Sequence, residues 1–222
     1  MTHKFDLSGR VALVTGGSKG LGKVMAQAFA RAGADIIISS RHEDELKPAL
    51  KEILSGTDRR GHFVVADLNE REETEELARE ALSAFGRIDI LVNNAGANRP
   101  QPIDELTDEN WDQSLELNLT AGMVLSRALV PGMKERRWGR IIYISSIMGL
   151  ASKEGRNSYS TTKTAVIGLA RANALDLGAF NITANCIAPG PFLTDLTRNL
   201  LTEEQMAVAA SATALGRWGE PE

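Results

Sequence analysis

At 222 residues the chain is long enough to enclose a substantial core, and 43% hydrophobic against 24% charged residues is the ordinary balance of a globular protein. A formal net charge of −4 with no block of like charge gives no basis for nucleic-acid binding, and no apolar run approaches membrane-spanning length. The lone cysteine, Cys186, excludes an internal disulfide framework, and its strand-like flanks point to a buried, inert thiol.

The first residues, Met1-Thr2-His3-Lys4-Phe5-Asp6, have no signal-peptide character, so a cytoplasmic protein is expected. Asp6-Leu7-Ser8-Gly9 reads as a turn into a first strand over Val11–Thr15. Next come a helix over Leu21–Ala32, a strand over Ile36–Ser39, a helix over Asp44–Leu54, a strand over Phe63–Ala66 and a helix over Glu70–Phe85. The second half repeats the alternation. A strand over Ile88–Val92 precedes a long helix over Asp108–Lys134, opened by the cap-like Thr107-Asp108-Glu109; then follow strand Ile141–Ile144, helix Ser158–Leu177 and strand Ile182–Ile187. The strands are short, almost continuously apolar and bounded by Gly, Asp, Asn or Ser, as parallel strands buried on both faces are. The expected fold is therefore α/β, a single doubly wound, Rossmann-like parallel sheet with helices on both faces. With no linker, repeat or low-complexity stretch, residues 1–222 read as one dinucleotide-binding catalytic domain. Ligands of such sheets lie beyond the carboxyl ends of the strands, so chemistry is sought in the loops that follow them.

The first such loop is Val14-Thr15-Gly16-Gly17-Ser18-Lys19-Gly20-Leu21-Gly22, where glycines permit a tight turn and the helix behind offers free N–H groups to phosphate. Gly16-Gly17-Ser18-Lys19-Gly20 fits a nucleophile elbow, but His3, His42 and His62, the only histidines, all lie too early to serve a hydrolase triad. Gly17 through Lys23 fits a triphosphate-binding loop, but Val24 stands where a magnesium-coordinating hydroxyl is required. The third reading is a dinucleotide turn built on Gly16, Gly20 and Gly22. It is not the G-x-G-x-x-G form, and the decision rests on residues further along.

Tyr159 and Lys163 stand four apart in a helical segment and share a face. A neighbouring ammonium favours a phenolate, and lowering a tyrosine pKa by about 3 units takes roughly 4 kcal/mol. Thirteen residues before Tyr159, Ser145-Ser146 ends a buried strand, placing a hydroxyl where it can polarise a carbonyl oxygen. Asn93-Asn94-Ala95-Gly96 follows the fourth strand at the same edge, Asn93 reading as chiefly structural. Asn118 sits inside an otherwise good helix, where its amide could bend the chain or hold a water.

With these residues in order, the sequence resembles the short-chain dehydrogenase/reductase family along essentially its whole length. The matching elements are Thr15-Gly16 with Gly20 and Gly22, Asp67, Asn93-Asn94-Ala95-Gly96, Asn118, Ser146, Tyr159-x-x-x-Lys163, and Pro189-Gly190 followed by Thr194. The resemblance implies strand order 3-2-1-4-5-6 and hydride transfer between a nicotinamide cofactor and a secondary alcohol or ketone. It implies Tyr159 as general acid/base and Ser146, chosen over Ser145 by the family's interval, orienting the substrate oxygen. It also implies Lys163 on the nicotinamide ribose while lowering the tyrosine pKa, and Asn118 holding a relay water. Gly16, Ser18, Lys19, Gly20, Leu21, Gly22, Ser40, Arg41, Asp67, Leu68, Asn94, Ala95, Gly96, Pro189, Gly190 and Thr194 would line the cofactor, with Asp67 and Leu68 at the adenine. No metal is implied.

Where a 2′-hydroxyl is usually held by an acid, the end of the second strand offers Ser40 and Arg41, with Lys19 nearby, so NADP(H) is favoured over NAD(H). The competing reading is that Arg41 only pairs with Glu43, Asp44 or Glu45. Arg99, Lys153 and Arg156 would give the substrate pocket cations for a carboxylate or an acidic carrier. The resemblance is nearest to the gluconate 5-dehydrogenase and 3-oxoacyl-carrier-protein reductase branches, at Ala151–Asn157 and Ala188–Asp195. A polyol or sugar acid is the first expected substrate, a 3-oxoacyl thioester the second, and a binding protein with little turnover the alternative. Family members usually continue with a helix and a seventh strand, so the expectation here is a truncated sheet with strand six exposed. The family's homo-oligomer, commonly a tetramer, is expected in altered form.

Overall fold

The computed structural model describes residues 5–194 and 201–221. Six parallel strands, β1 (Val11–Thr15), β2 (Asp35–Ser40), β3 (Gly61–Val65), β4 (Ile90–Asn93), β5 (Gly139–Ile144) and β6 (Ile182–Ile187), form one sheet in the order β3-β2-β1-β4-β5-β6. This is the expected order. The strand residues alternate between two apolar layers. Val11, Leu13 and Ile37 face a core shared with α3 (Arg71–Phe85), α5 (Ala121–Arg136) and α6 (Asn157–Leu177). Ala12, Val14, Ile36 and Ile38 face a second core with α1 (Gly20–Arg31) and α2 (Glu43–Leu54). Both faces are covered, which is why the strands read as continuous apolar runs rather than alternating ones.

Strand order reverses between β1 and β4, whose residues pair directly, Leu13 opposite Leu91 and Val14 opposite Val92. The chain leaves β1 toward one side of the sheet and β4 toward the other, so a crevice opens above their carboxyl ends.

Two elements differ from expectation. The segment read as one helix over Asp108–Lys134 is α4 (Asp108–Leu115), a π-helical turn at Glu116–Thr120, then α5. A further helix, α7 (Glu203–Ser211), had not been expected. It buries no residue and so shows no apolar stripe, but its start was written in the capping box Thr202-x-x-Gln205. β6 pairs only with β5 and forms one edge of the sheet among the described residues, as β3 forms the other. No helix of the described residues is long and apolar enough to cross a membrane.

Candidate active site

Thr15, the last residue of β1, ties the two central loops together. Its hydroxyl donates to the Val92 carbonyl (3.3 Å) and accepts from the main-chain N–H groups of Asn94 and Ala95 (3.0 Å each). The Asn94 amide donates to the carbonyls of Thr15 (2.9 Å) and Gly16 (3.2 Å). The glycine turn is thus clamped to the β4 loop. Gly16 and Gly20 have positive φ (+63° and +55°), and a Cβ on Gly22 would lie 2.2 Å from the Gly16 carbonyl oxygen, so only glycine closes the turn. Leu21 follows in the first turn of α1, which contains no acidic residue, and Lys19 at its cap position makes no side-chain capping bond. The free N–H groups of that turn fit a phosphate. Asn93 takes no part in the clamp: its side chain packs against Gly122 on α5.

The candidate catalytic residues converge across this crevice. Ser145 and Ser146 diverge at the end of β5. The buried Ser145 hydroxyl donates to the Lys163 carbonyl at 2.5 Å, whereas Ser146 Oγ accepts from the Met148 N–H (3.1 Å) and acts on the Tyr159 phenol. Extended backbone turns successive side chains to opposite sides, and Ser146 is the one presented to the tyrosine. Burial pushes the Tyr159 phenol above its ordinary pKa, opposed by the neighbouring Ser146 hydroxyl and by the positive charge of Arg156. Lys163 is only 4% exposed; its ammonium donates to the Ile144 carbonyl (2.8 Å) and lies 5.7 Å from the Tyr159 ring centre. Burial lowers its pKa from 10.5 to about 8. A positive charge acting on the phenol thus comes from Arg156, a residue the sequence placed on the substrate side.

Asn118 occupies the π turn. Its carbonyl oxygen accepts from the Ala97 N–H (2.9 Å), and its amide donates to the Ala97 carbonyl (3.0 Å) and to Thr162 Oγ1 (3.2 Å). Both amide protons are used, so the side chain fastens the β4 loop to α6. A Cβ on Gly96 would come within 2.9 Å of Asn118 Oδ1 and 3.2 Å of Lys163 Nζ, so this glycine leaves the floor of the site open.

Around the cofactor crevice the expected residues are differently partnered. Arg41 does not pair with the α2 acids but approaches Asp67 at 3.8 Å, and Ser40 Oγ accepts from the His42 N–H (3.2 Å). Ser18 and Lys19 both donate to Glu45, at 3.0 Å each, a residue the sequence offered only as a partner for Arg41. Asp67 also accepts from the side chain and N–H of Asn69 (2.7 and 3.0 Å). The Leu68 side chain is buried in the core, leaving its main chain to face a ligand. The Pro189 carbonyl accepts from the Ile147 N–H (3.0 Å), which sets Gly190 beside the Ser146 loop, and Thr194 lies against Gly20. Asp195, the last residue of the matched stretch, lies outside the described residues.

The three cations of the substrate side separate. Arg156 acts on Tyr159, Arg99 has a buried guanidinium nitrogen without a hydrogen-bond partner, and Lys153 is exposed. The loop carrying Arg99 is pinned by Gln101, whose N–H donates to the Gly155 carbonyl (3.0 Å) and whose carbonyl accepts from Asn157 (3.0 Å). That loop-to-loop staple was not legible in the sequence, since nothing local marks Gln101. Cys186 is half-buried rather than buried; burial raises its thiol pKa, in keeping with an inert side chain.

Residues 10–205 match the family model described as short chain dehydrogenase. The chain belongs to the short-chain dehydrogenase family. The 3-oxoacyl-acyl-carrier-protein reductase FabG of Aquifex aeolicus is 35% identical over 219 residues, covering 99% of this chain and 88% of that protein. The (2S)-(R)-hydroxy(phenyl)methyl-succinyl-CoA dehydrogenase subunit BbsD of Thauera aromatica is likewise 35% identical, covering 97% of this chain and 86% of the relative. Among solved structures, a provisionally assigned NAD(P)-dependent gluconate 5-dehydrogenase from Beutenbergia cavernae, with NADP bound at low occupancy, superposes with a TM-score of 0.92 at 36% identity over 99% of this chain and 88% of its own. As a short-chain dehydrogenase the chain is an oxidoreductase, and the family's relatives carry names of reductases and dehydrogenases.

Proposed function

We propose that this short-chain dehydrogenase interconverts a secondary alcohol and a ketone with Tyr159 as proton donor and acceptor, using NADP(H) in preference to NAD(H). The observation that carries the reading is a buried Lys163 held 5.7 Å from the Tyr159 ring, with Ser146 acting on the same phenol from the carboxyl end of β5. Gly16, Ser18, Gly20, Leu21 and Gly22 would hold the pyrophosphate, Asp67 and Leu68 the adenine, and Asn94 through Gly96, Lys163, Pro189, Gly190 and Thr194 the nicotinamide half. When bound, the nicotinamide supplies or accepts the hydride. The protein's part is proton transfer and charge stabilisation. In reduction, Tyr159 Oη gives its proton to the substrate oxygen while the Ser146 hydroxyl donates a hydrogen bond to the alkoxide forming there. The Lys163 ammonium, held in place by the Ile144 carbonyl, stabilises the phenolate left behind. Asn118 acts by fixing the loop and helix on either side. Arg41, the half-exposed cation beside Ser40, supports NADP(H).

For the substrate, the buried, unpartnered nitrogen of Arg99 favours a carboxylate, hence a sugar acid or polyol of the gluconate type. A 3-oxoacyl thioester is the second reading, favoured by the similarity to FabG and to a CoA-thioester dehydrogenase subunit. Oxidation or formation of NADPH and NADH against sugar acids, polyols and 3-oxoacyl thioesters separates the two. Tyr159→Phe should abolish turnover while cofactor binding persists; substantial remaining turnover would remove Tyr159 from the mechanism.

A further inference from the structure

We propose that Glu45 restrains the preference of this chain for NADP(H) by opposing a 2′-phosphate. It stands in the first turn of α2, and its carboxylate crosses to the glycine turn, taking hydrogen bonds from Ser18 Oγ and Lys19 Nζ at 3.0 Å each. The Lys19 contact, helped by Ser18, holds its carboxyl below the usual range although burial acts the other way, so Glu45 carries its charge at neutral pH. A second pair of the same kind follows, one turn along α1 and two along α2, where Lys23 pairs with Glu52. These four side chains line an open cleft of about 350 Å3 between α1 and α2.

The consequence is electrostatic. Lys19 supports a phosphate only if its charge is available, and in this structure both lysines of the cleft are matched by carboxylates of α2. A phosphate arriving beside Ser40 and Arg41 meets a third charge, negative, that already holds Lys19 and Ser18. It must displace that carboxylate to reach them. A 2′-hydroxyl carries no charge and meets no such conflict. Arg41 and Glu45 thus pull in opposite directions, the first toward NADP(H) and the second toward NAD(H). The proposal rests on the reading above that the adenosine ribose lies beside Ser40 and Arg41.

The test is calorimetric binding of adenosine 2′,5′-bisphosphate and of 5′-AMP to the free protein, in the wild type, Glu45→Gln, Glu45→Ala and Arg41→Ala. Thermal unfolding of each variant controls for folding. Glu45→Gln keeps a hydrogen-bond acceptor and removes the charge; it should tighten the bisphosphate by about fivefold, the upper scale of one like-charge contact removed from a partly exposed site. Affinity for 5′-AMP should stay level or fall, and Glu45→Ala should shift the ratio the same way. A ratio unchanged within about twofold, or equal losses for both ligands, would make Glu45 only a tie between the turn and α2, and the proposal would fall. Arg41→Ala reports separately: if it leaves the bisphosphate unaffected while Glu45→Gln still shifts the ratio, the NADP(H) reading fails and the role of Glu45 stands.

Discussion

Burial acts on Tyr159 and Lys163 in the same sense, each pushed toward its neutral form, the phenol up and the ammonium down to about 8. A phenol above its ordinary value is protonated throughout the neutral range and ready to donate. Ketone reduction should therefore be nearly level from pH 6 to 8, whereas alcohol oxidation, which needs the phenolate, should climb with pH; initial rates in both directions measure this. An oxidation rate that is flat over that range would contradict it. Lys163 also leaves a signature in stability. Its folded pKa of about 8 lies below the 10.5 of a solvated lysine, so between those values the unfolded chain holds a proton the folded one has shed. Wild-type stability should accordingly gain from rising pH in that window, by the linkage of proton binding to folding. Lys163→Met removes the burial penalty, about 3 kcal/mol at most before the lost bond to Ile144 is counted. Its advantage over wild type in urea unfolding should be full below pH 8 and fade toward pH 10.5, while activity is lost throughout.

At the scale of elements, the break between α4 and α5 does the positioning. Helical spacing runs on through Glu116–Thr120, so the sequence read one helix over Asp108–Lys134, and only Asn118 hinted at the interruption. The strands and their order were legible because each buried run is short and bounded, and because the motifs that follow them come in a family-specific order. Glu45 was not, since what defines it is a contact with Lys19 across 26 residues that no local pattern encodes. Ser146 over Ser145 was legible only through the family's interval to Tyr159: both hydroxyls end β5, and the packing of α6 decides which one is buried. The π turn offers a direct test. Asn118→Leu improves helix propensity, yet it deletes the bonds to both main-chain groups of Ala97 and to Thr162. Leaving those buried partners unmet should destabilise the protein by about 1–3 kcal/mol in chemical unfolding and cut kcat more than it raises KM. A more stable Asn118→Leu protein with full activity would show that the turn is incidental to the site.

Across the whole molecule, the two ends of the sheet are given to different tasks. Every candidate site loop leaves a carboxyl end, while the opposite end is held by Asp89, fully buried just before β4. Its carboxylate accepts from the Val11 N–H (3.0 Å) and from Arg87 Nε and Nη2 (2.8 and 2.6 Å), with Arg136 and Arg10 at 3.6 and 3.8 Å. Arg10 and Arg140 in turn lie over the ring of Trp138, at 3.9 and 4.4 Å from its centre. One buried acid therefore gathers three arginines and the first residue of β1 at the foot of β4, which is where β1 and β4 must stay in register for the crevice above them to keep its shape. Removing one member of such a buried set leaves the others uncompensated, a loss of about 3–5 kcal/mol. Asp89→Asn keeps the size and can still accept from Val11, but it no longer balances the guanidinium charges, and it should lose most of that amount. Because the strands transmit position but the site chemistry lies at their other end, the folded fraction of Asp89→Asn should retain near-normal KM values for cofactor and substrate. Urea unfolding alongside steady-state kinetics at low temperature separates the two effects. Unchanged stability would show that the arginines find other partners, and a raised KM in fully folded protein would show that the two ends of the sheet are coupled.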